Sequence, residues 1–474
     1  MKKLLWIAAL LLLLPLGSRG ETLAVSPDGM TVTDALAQCA DGDVIVLSAG
    51  TYDETKETFP LVIGRAVTLR AEEGAVIDAP KFKAALQIEA EGVTLKGLDI
   101  RFRRTGIYAV GSDLTLENCR IALADEAWRT SSCGMWCGGI YRLTLRDCAF
   151  IGCGVSLAGP PLSETTGNVP KLTGLFEVGE DAGFFTTHTV ENCTVNGKPL
   201  FYAASLPAVT APEDAGEIIC CGCGEVTVRN ADVSDCSMGM VLAYNGSISL
   251  EDCRADRCGV FGIYAAKCGS GALARCTAEN TNHGLDIRAC EHIVLRECTA
   301  TDCDQGLFFS AVRDSAMIGC TVTGTGQGYF LAAGTGNTLA GCAAVACENG
   351  FSLQKEGPVL MTGCTAEGCT VCGVRLDATP AAFVHNTLRD NWVAVMAYGG
   401  ASFDIADNEF ENTRCCALYL RDIGFSRFCG NTFTGSGQMS VQAVGTLGGS
   451  VWIGNQADIP ADFSGAADGF ALAE

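Results

Sequence analysis

His283, Asp286 and Arg288 stand close together in the string His283-Gly284-Leu285-Asp286-Ile287-Arg288. In an extended strand successive side chains leave on opposite faces, so Asp286 and Arg288 share one side while Leu285 and Ile287 take the other. A carboxylate, an imidazole and a guanidinium grouped in this way are the parts of a proton-abstracting site with a cation beside it. Asp286, Arg288 and His283 are therefore the candidate catalytic residues. Phe308, Phe330, Arg375 and Asp377 follow on the same face, and aromatic faces flanked by charges suit sugar rings. These four are the candidate ligand-binding residues. The competing reading is an ordinary sheet face whose two phenylalanines lie under a loop.

Thiols are the second chemistry. Cys220, Cys221 and Cys223 form C-C-x-C, Cys369 and Cys372 form C-x-x-C, and Cys133 and Cys137 are spaced C-x3-C in an insertion. Soft thiolates select copper(I) or zinc. Small buried fillers with no metal account for the same residues, and no metal site is assigned from the sequence. If an ion is held, calcium or copper is the one expected. Cys133 and Cys137, read as loop residues, are the pair expected to be reactive or bridged.

The elements that position these residues follow from a repeat. Cys253, Cys276, Cys298, Cys320, Cys342 and Cys364 recur at steps of 22 or 23 residues, and Asn386, Asn408 and Asn431 continue the series. A second column runs through Cys258, Thr281, Cys303, Thr325, Cys347 and Cys369. A glycine recurs at Gly284, Gly306, Gly328 and Gly350, with a short alternating strand after each. Short period-2 strands between turn residues, at a fixed interval of this size, predict a parallel β-helix whose coils stack about 4.8 Å apart. On that spacing Asp286 and Asp377 are four coils, or about 19 Å, apart. A glycosidase needs two carboxyls about 5 to 9.5 Å apart. Catalysis on this face would thus be that of a lyase or epimerase rather than a hydrolase.

The repeat predicts the domain plan. Residues 21–60 form an N-terminal cap and first strands, and 61–456 the β-helix. Insertions fall near 122–140, 156–185 and 198–219, and 457–474 lack the repeat. Thr33 to Cys39 read as one short capping helix, with Thr33 as N-cap. Residues 1–20 carry Lys2 and Lys3, an apolar run and small residues before Glu21, which reads as a cleaved export signal. A secreted, periplasmic or cell-surface location is expected. No later stretch is apolar for long enough to span a bilayer. Loss of Lys2, Lys3 and Arg19 takes the net charge from −22 to −25. Such a chain repels nucleic acid and anionic polymers unless a local basic patch or a cation intervenes. With 27 cysteines at least one thiol lacks an internal partner, and the column is expected to be a stack of free thiols.

Two stretches carry a family resemblance. Thr31 to Glu54, TVTDALAQCADGDVIVLSAGTYDE, resembles the opening of pectin-lyase-like β-helix proteins. Val190 to Cys253, with Asn196-Gly197-Lys198-Pro199-Leu200 and Asp214-Ala215-Gly216, is similar to the NosD-like repeat family. The resemblance implies a right-handed parallel β-helix, all-β, in an exported protein. Copper handling is one role known in that family and carbohydrate handling another. The string from His283 to Arg288 also resembles the D-P-H-D element of alginate epimerases, without its proline and histidine. The function expected is non-catalytic recognition or scaffolding at the cell envelope, with a polysaccharide or another envelope component as partner. The alternatives are a polysaccharide lyase, epimerase or hydrolase, and a copper-handling accessory protein.

Overall fold

A computed structural model of the chain describes residues 20–80, 83–158, 181–400, 402–435, 437–458, 461–466 and 471–473. Residues 1–19 of the expected export signal and much of the expected 156–185 insertion lie outside these residues. The described chain is a parallel β-solenoid of about 19 turns. From Met238 onward each complete coil adds one strand to each of three faces. Ile293–Arg296 lies on the first face, Thr299–Thr301 on the second and Gln305–Ser310 on the third. Equivalent residues pair directly, as in Ala300↔Val322 and Leu307↔Tyr329. The register is fixed because a slip of one residue would expose every inward side chain.

The recurring glycine has a steric cause. A Cβ on Gly306 would stand 2.6 Å from both the carbonyl oxygen of Gly328 and Cγ1 of Val322. Only glycine lets the chain bend there against the next coil.

The cysteine column is buried and unbridged, and all 27 cysteines are free thiols. Its exchange for asparagine has a hydrogen-bond logic. Cys342 Sγ donates to the carbonyl of Met317 at 3.2 Å, and Asn386 Nδ2 donates to Met361 at 3.1 Å, each 25 residues back. Asn386 Oδ1 also accepts the main-chain N–H of Cys364 at 2.8 Å. Asn455 extends the column one coil beyond Asn431, accepting from Asn431 N at 2.9 Å.

Several expectations are corrected. The capping helix α1 spans Val32–Gln38, and its N-cap is Thr31, whose side chain accepts from Asp34 N. Thr33 donates its hydroxyl to Glu57 instead, at 2.7 Å. The described part of the tail keeps the repeat, because Asp462–Ala466 and Ala471–Ala473 pair with the preceding coil. Cys133 and Cys137 lie on a strand, Cys133–Gly138, and both are buried. Residues 198–219 are mostly strand, in Lys198–Ala204, Ala208–Thr210 and Glu217–Cys221.

That last segment is a junction. Thr194–Val195 and Lys198–Ala204 form an antiparallel pair about Asn196–Gly197, both with positive φ. This is a two-residue hairpin turn of the kind Asn-Gly favours. It is the one antiparallel pairing among the described strands, and it reverses strand direction within one row. Segments from before the hairpin pack on the outside of the first strands after it. Val155–Ala158 meets Met238–Ala243, the main-chain N–H groups of Gly134 and Gly154 donate to Ser237 Oγ, and Phe185 packs on Tyr244. The third face is buried on both sides from Glu217–Cys221 through His283–Arg288.

Candidate functional site

Alternation does send Asp286 and Arg288 to the outer side of the third face, but not to solvent. Asp286 is 0% exposed and Arg288 only 7%. Arg288 Nε and Nη2 donate to the two carboxylate oxygens at 2.6 and 2.8 Å, and His283 Nδ1 lies 3.0 Å from Oδ2. The guanidinium also stacks over the Phe308 ring at 5.0 Å and the Phe261 ring at 5.7 Å. Burial pushes the Asp286 carboxyl up, but the hydrogen bonds from Arg288 and His283 outweigh it and hold the carboxyl below its ordinary value. A carboxylate that is charge-paired on both oxygens and sealed under rings cannot reach a polymer. The three candidate catalytic residues come together as a buried ion-pair cluster, and the solvent-facing role expected of them is corrected.

The candidate ligand residues divide. Phe308 and Phe330 stack at 4.7 Å with planes 4° apart. Phe308 is buried and Phe330 half-buried. Arg375 continues their register row after buried Ser352. It lies 3.4 Å from Asp377 and 5.4 Å from the Tyr398 ring centre. The four share a face, but Phe308 and Arg375 are three coils, or about 14 Å, apart.

The thiol motifs do not assemble. Cys220 and Cys221 are successive residues of one strand, buried on both its faces. Cys223 is tied to the main chain, with its Sγ 3.8 Å from Ala203 O. Cys369 belongs to the inner core, while Cys372 packs in a separate outer cluster with Val393 and Cys416. Burial pushes the Cys220, Cys369 and Cys372 thiols up to about 12, and it raises that of Cys221 well above its ordinary value. Metal ligation needs thiolates. Among the described residues no group of three or more His, Cys, Asp or Glu is arranged to hold a metal ion.

The concave site lies elsewhere, along the first face. A cavity of about 770 Å³ is floored by Thr338, Leu360, Ala382, Asp404, Arg427 and Val451. These six residues pair in register on consecutive coils. At one strand spacing per step the floor is about 24 Å long. The turns that enter the first face form its wall, through Pro358, Pro380, Ser402 and Phe425. Proline is tolerated there because Pro358 and Pro380 each sit one residue before a strand, Val359–Thr362 and Ala381–Val384, where the main-chain nitrogen need not donate to the ladder. Phe425 is 76% exposed. Its ring lies against Gly449, where a Cβ would stand 2.9 Å from Cε1 and φ is +74°. A non-glycine residue would both strain the backbone and displace the ring.

Charge enters the groove once. Arg427 Nε and Nη2 donate to the oxygens of Asp404 at 2.9 and 2.8 Å. The hydrogen bond that Arg427 donates to Asp404 raises the guanidinium above its ordinary value. No other acid or base is among the described residues lining the cavity. Sequence reasoning did not single out this groove. The signals available were an aspartate and an arginine one coil apart and an aromatic residue, Phe425, in a turn.

A family model described as "Right handed beta helix region" matches residues 176–310, 261–393 and 313–457. A second model, described as a protein of unknown function, matches residues 27–76. No curated protein matches the chain. Among solved structures, the A-module of the Azotobacter vinelandii mannuronan C-5 epimerase AlgE6 is 13% identical, covering 90% of this chain and 93% of that one at a TM-score of 0.30. Pectate lyase Pel9A is 14% identical over 82% of this chain and 76% of that one, with a TM-score of 0.21. The polygalacturonase from Erwinia carotovora ssp. carotovora is 8% identical over 96% and 97%, with a TM-score of 0.26.

Proposed function

The chain belongs to the right-handed β-helix family, and on that premise we propose that it is a non-catalytic polysaccharide-recognition protein of the cell envelope, binding along the first-face groove. The observation that carries this is the floor, with six residues in register on six consecutive coils. A floor that repeats along the solenoid axis suits a ligand that repeats along its own. The Phe425 ring and the two prolines offer apolar faces to sugar rings, while Thr338 on the floor and Ser402 on the wall offer hydroxyls.

Two features favour binding over chemistry. Asp404 is the one carboxylate among the lining residues, and both its oxygens are engaged by Arg427. Hydrolysis with two carboxyls about 5 to 9.5 Å apart has no second acid in this set. The other acid–base cluster, around Asp286, is sealed.

The test is calorimetric titration of the full chain with soluble oligosaccharides, beside a Leu360→Arg variant that fills the middle of the floor. Saturable binding that the variant abolishes, with no change in oligosaccharide length after incubation, supports the reading. Binding untouched by Leu360→Arg, or turnover of the oligosaccharide, overturns it.

A further inference from the structure

We propose that the groove selects an uncharged polysaccharide, and that Asp404 enforces the choice by neutralising Arg427. The inference rests on the groove being the carbohydrate site and names the class of chain it takes.

An anionic polymer such as a polyuronate needs an unpaired cation to meet each bound carboxylate. Among the described residues Arg427 is the one cation lining the groove. Its two carboxylate-matching N–H groups already close a fork on Asp404 at 2.9 and 2.8 Å. Asp407 adds negative potential at the same guanidinium, and the chain as a whole carries −22. A polyuronate would thus enter a negative field and find its only counter-charge taken.

A neutral sugar meets the same pair differently. A guanidinium has five N–H donors and two are used here, so three remain for hydroxyl oxygens. The carboxylate keeps lone pairs that accept from hydroxyl hydrogens. Both side chains reach solvent, Arg427 at 52% and Asp404 at 42% exposure. The pair is then a two-way hydroxyl reader set in the groove floor, with the Phe425 ring on the wall. Neither group has to give up its partner, so little desolvation of charge accompanies binding.

The experiment titrates the full chain with neutral glucan, mannan and xylan oligomers and with an oligogalacturonate, at low and at moderate salt. Three proteins are compared: the wild type, Asp404→Asn, and Asp404→Asn with Arg427→Gln. The wild type is expected to bind a neutral oligomer with little salt dependence and the oligogalacturonate at least about tenfold more weakly. Asp404→Asn frees the guanidinium and is expected to raise oligogalacturonate affinity about tenfold, in a salt-sensitive way, and Arg427→Gln removes the gain. The pair is exposed, and thermal melting verifies that each variant is folded. Equal or tighter wild-type binding of the oligogalacturonate, or no gain in Asp404→Asn, overturns this inference alone. Failure of every oligomer to bind overturns the carbohydrate reading with it.

Discussion

Glu217 accepts the main-chain N–H of Val155, 62 residues earlier in the chain, on both carboxyl oxygens at 3.2 and 3.0 Å. The contact ties the strand that follows the Asn196–Gly197 hairpin to a strand that precedes it. Gly154 leaves the room, since a Cβ there would stand 2.0 Å from Glu217 Oε2. The carboxyl is fully buried, and no cation is paired with it among the described residues.

Burial pushes the Glu217 carboxyl well above its ordinary value, with the Val155 N–H acting the other way. Its proton therefore stays on in the folded chain at pH values where the unfolded chain has lost it. Above an unfolded value of 4.5 the folded state binds more protons, so stability falls as pH rises. The slope contributed is at most about 1.4 kcal/mol per pH unit. Glu217→Gln, which keeps an acceptor for Val155 N–H, should melt higher than wild type at pH 7 and should flatten the decline between pH 5 and 8. Melting curves across that range decide it, and parallel pH profiles for the two proteins would show that Glu217 is not the titrating group.

Asp286 works in the opposite sense. Its folded value is held below the ordinary one, so its contribution is present above an unfolded value of 3.8 and is lost as pH falls through the folded value. Asp286→Asn leaves the buried Arg288 guanidinium without its counter-charge and is expected to cost about 3 to 5 kcal/mol. Replacing both, as Asp286→Leu with Arg288→Met, should recover most of that loss. Chemical denaturation of the three proteins tests this. A neutral Asp286→Asn variant would mean that water reaches the cluster.

The cysteine column predicts its own substitutions. Cys342 Sγ and Asn386 Nδ2 donate to the equivalent carbonyl of the preceding coil, so Cys342→Asn is expected to fold with stability close to wild type. The larger Cys342→Leu is expected to cost about 1 to 3 kcal/mol by overpacking a buried position. Denaturation midpoints rank the two, and the reverse ranking would mean that the column is held by apolar burial rather than by the hydrogen bond.

The solenoid was legible because the coil length is written in one residue per turn. The spacing of Cys253 through Cys364 and its continuation as Asn386, Asn408 and Asn431 gave the register, and the register gave the face each side chain leaves from. What alternation cannot tell is what lies over that face. Asp286, Arg288 and Phe308 leave outward as expected and are still buried. Residues from before the hairpin cover the adjoining coils in a packing that no local pattern encodes. Cys133 and Cys137 were misplaced for the same reason, since an insertion that breaks the period carries a strand of its own. The groove escaped notice because its floor is ordinary repeat and its wall is made by turns. Turn shape depends on residues such as Gly449, which matters only because Phe425 lies against it.

Phe425 separates a binding role from a packing role. At 76% exposure it is the most exposed large apolar side chain among the described residues. Its removal should leave stability within about 0.5 kcal/mol of wild type. If the ring stacks on a sugar, Phe425→Ala should weaken oligosaccharide binding by about 0.5 to 1.5 kcal/mol, a few-fold to roughly tenfold in affinity. Phe330→Ala is the matched control, because Phe330 is half-buried on the third face and stacked on Phe308 at 4.7 Å. It should cost stability, through a lost ring contact, and leave binding unchanged. Titrations and melting curves on both variants place the ligand on one face or the other. The opposite pattern, with Phe330→Ala losing the ligand and Phe425→Ala keeping it, would move the site from the first-face groove to the aromatic strip of the third.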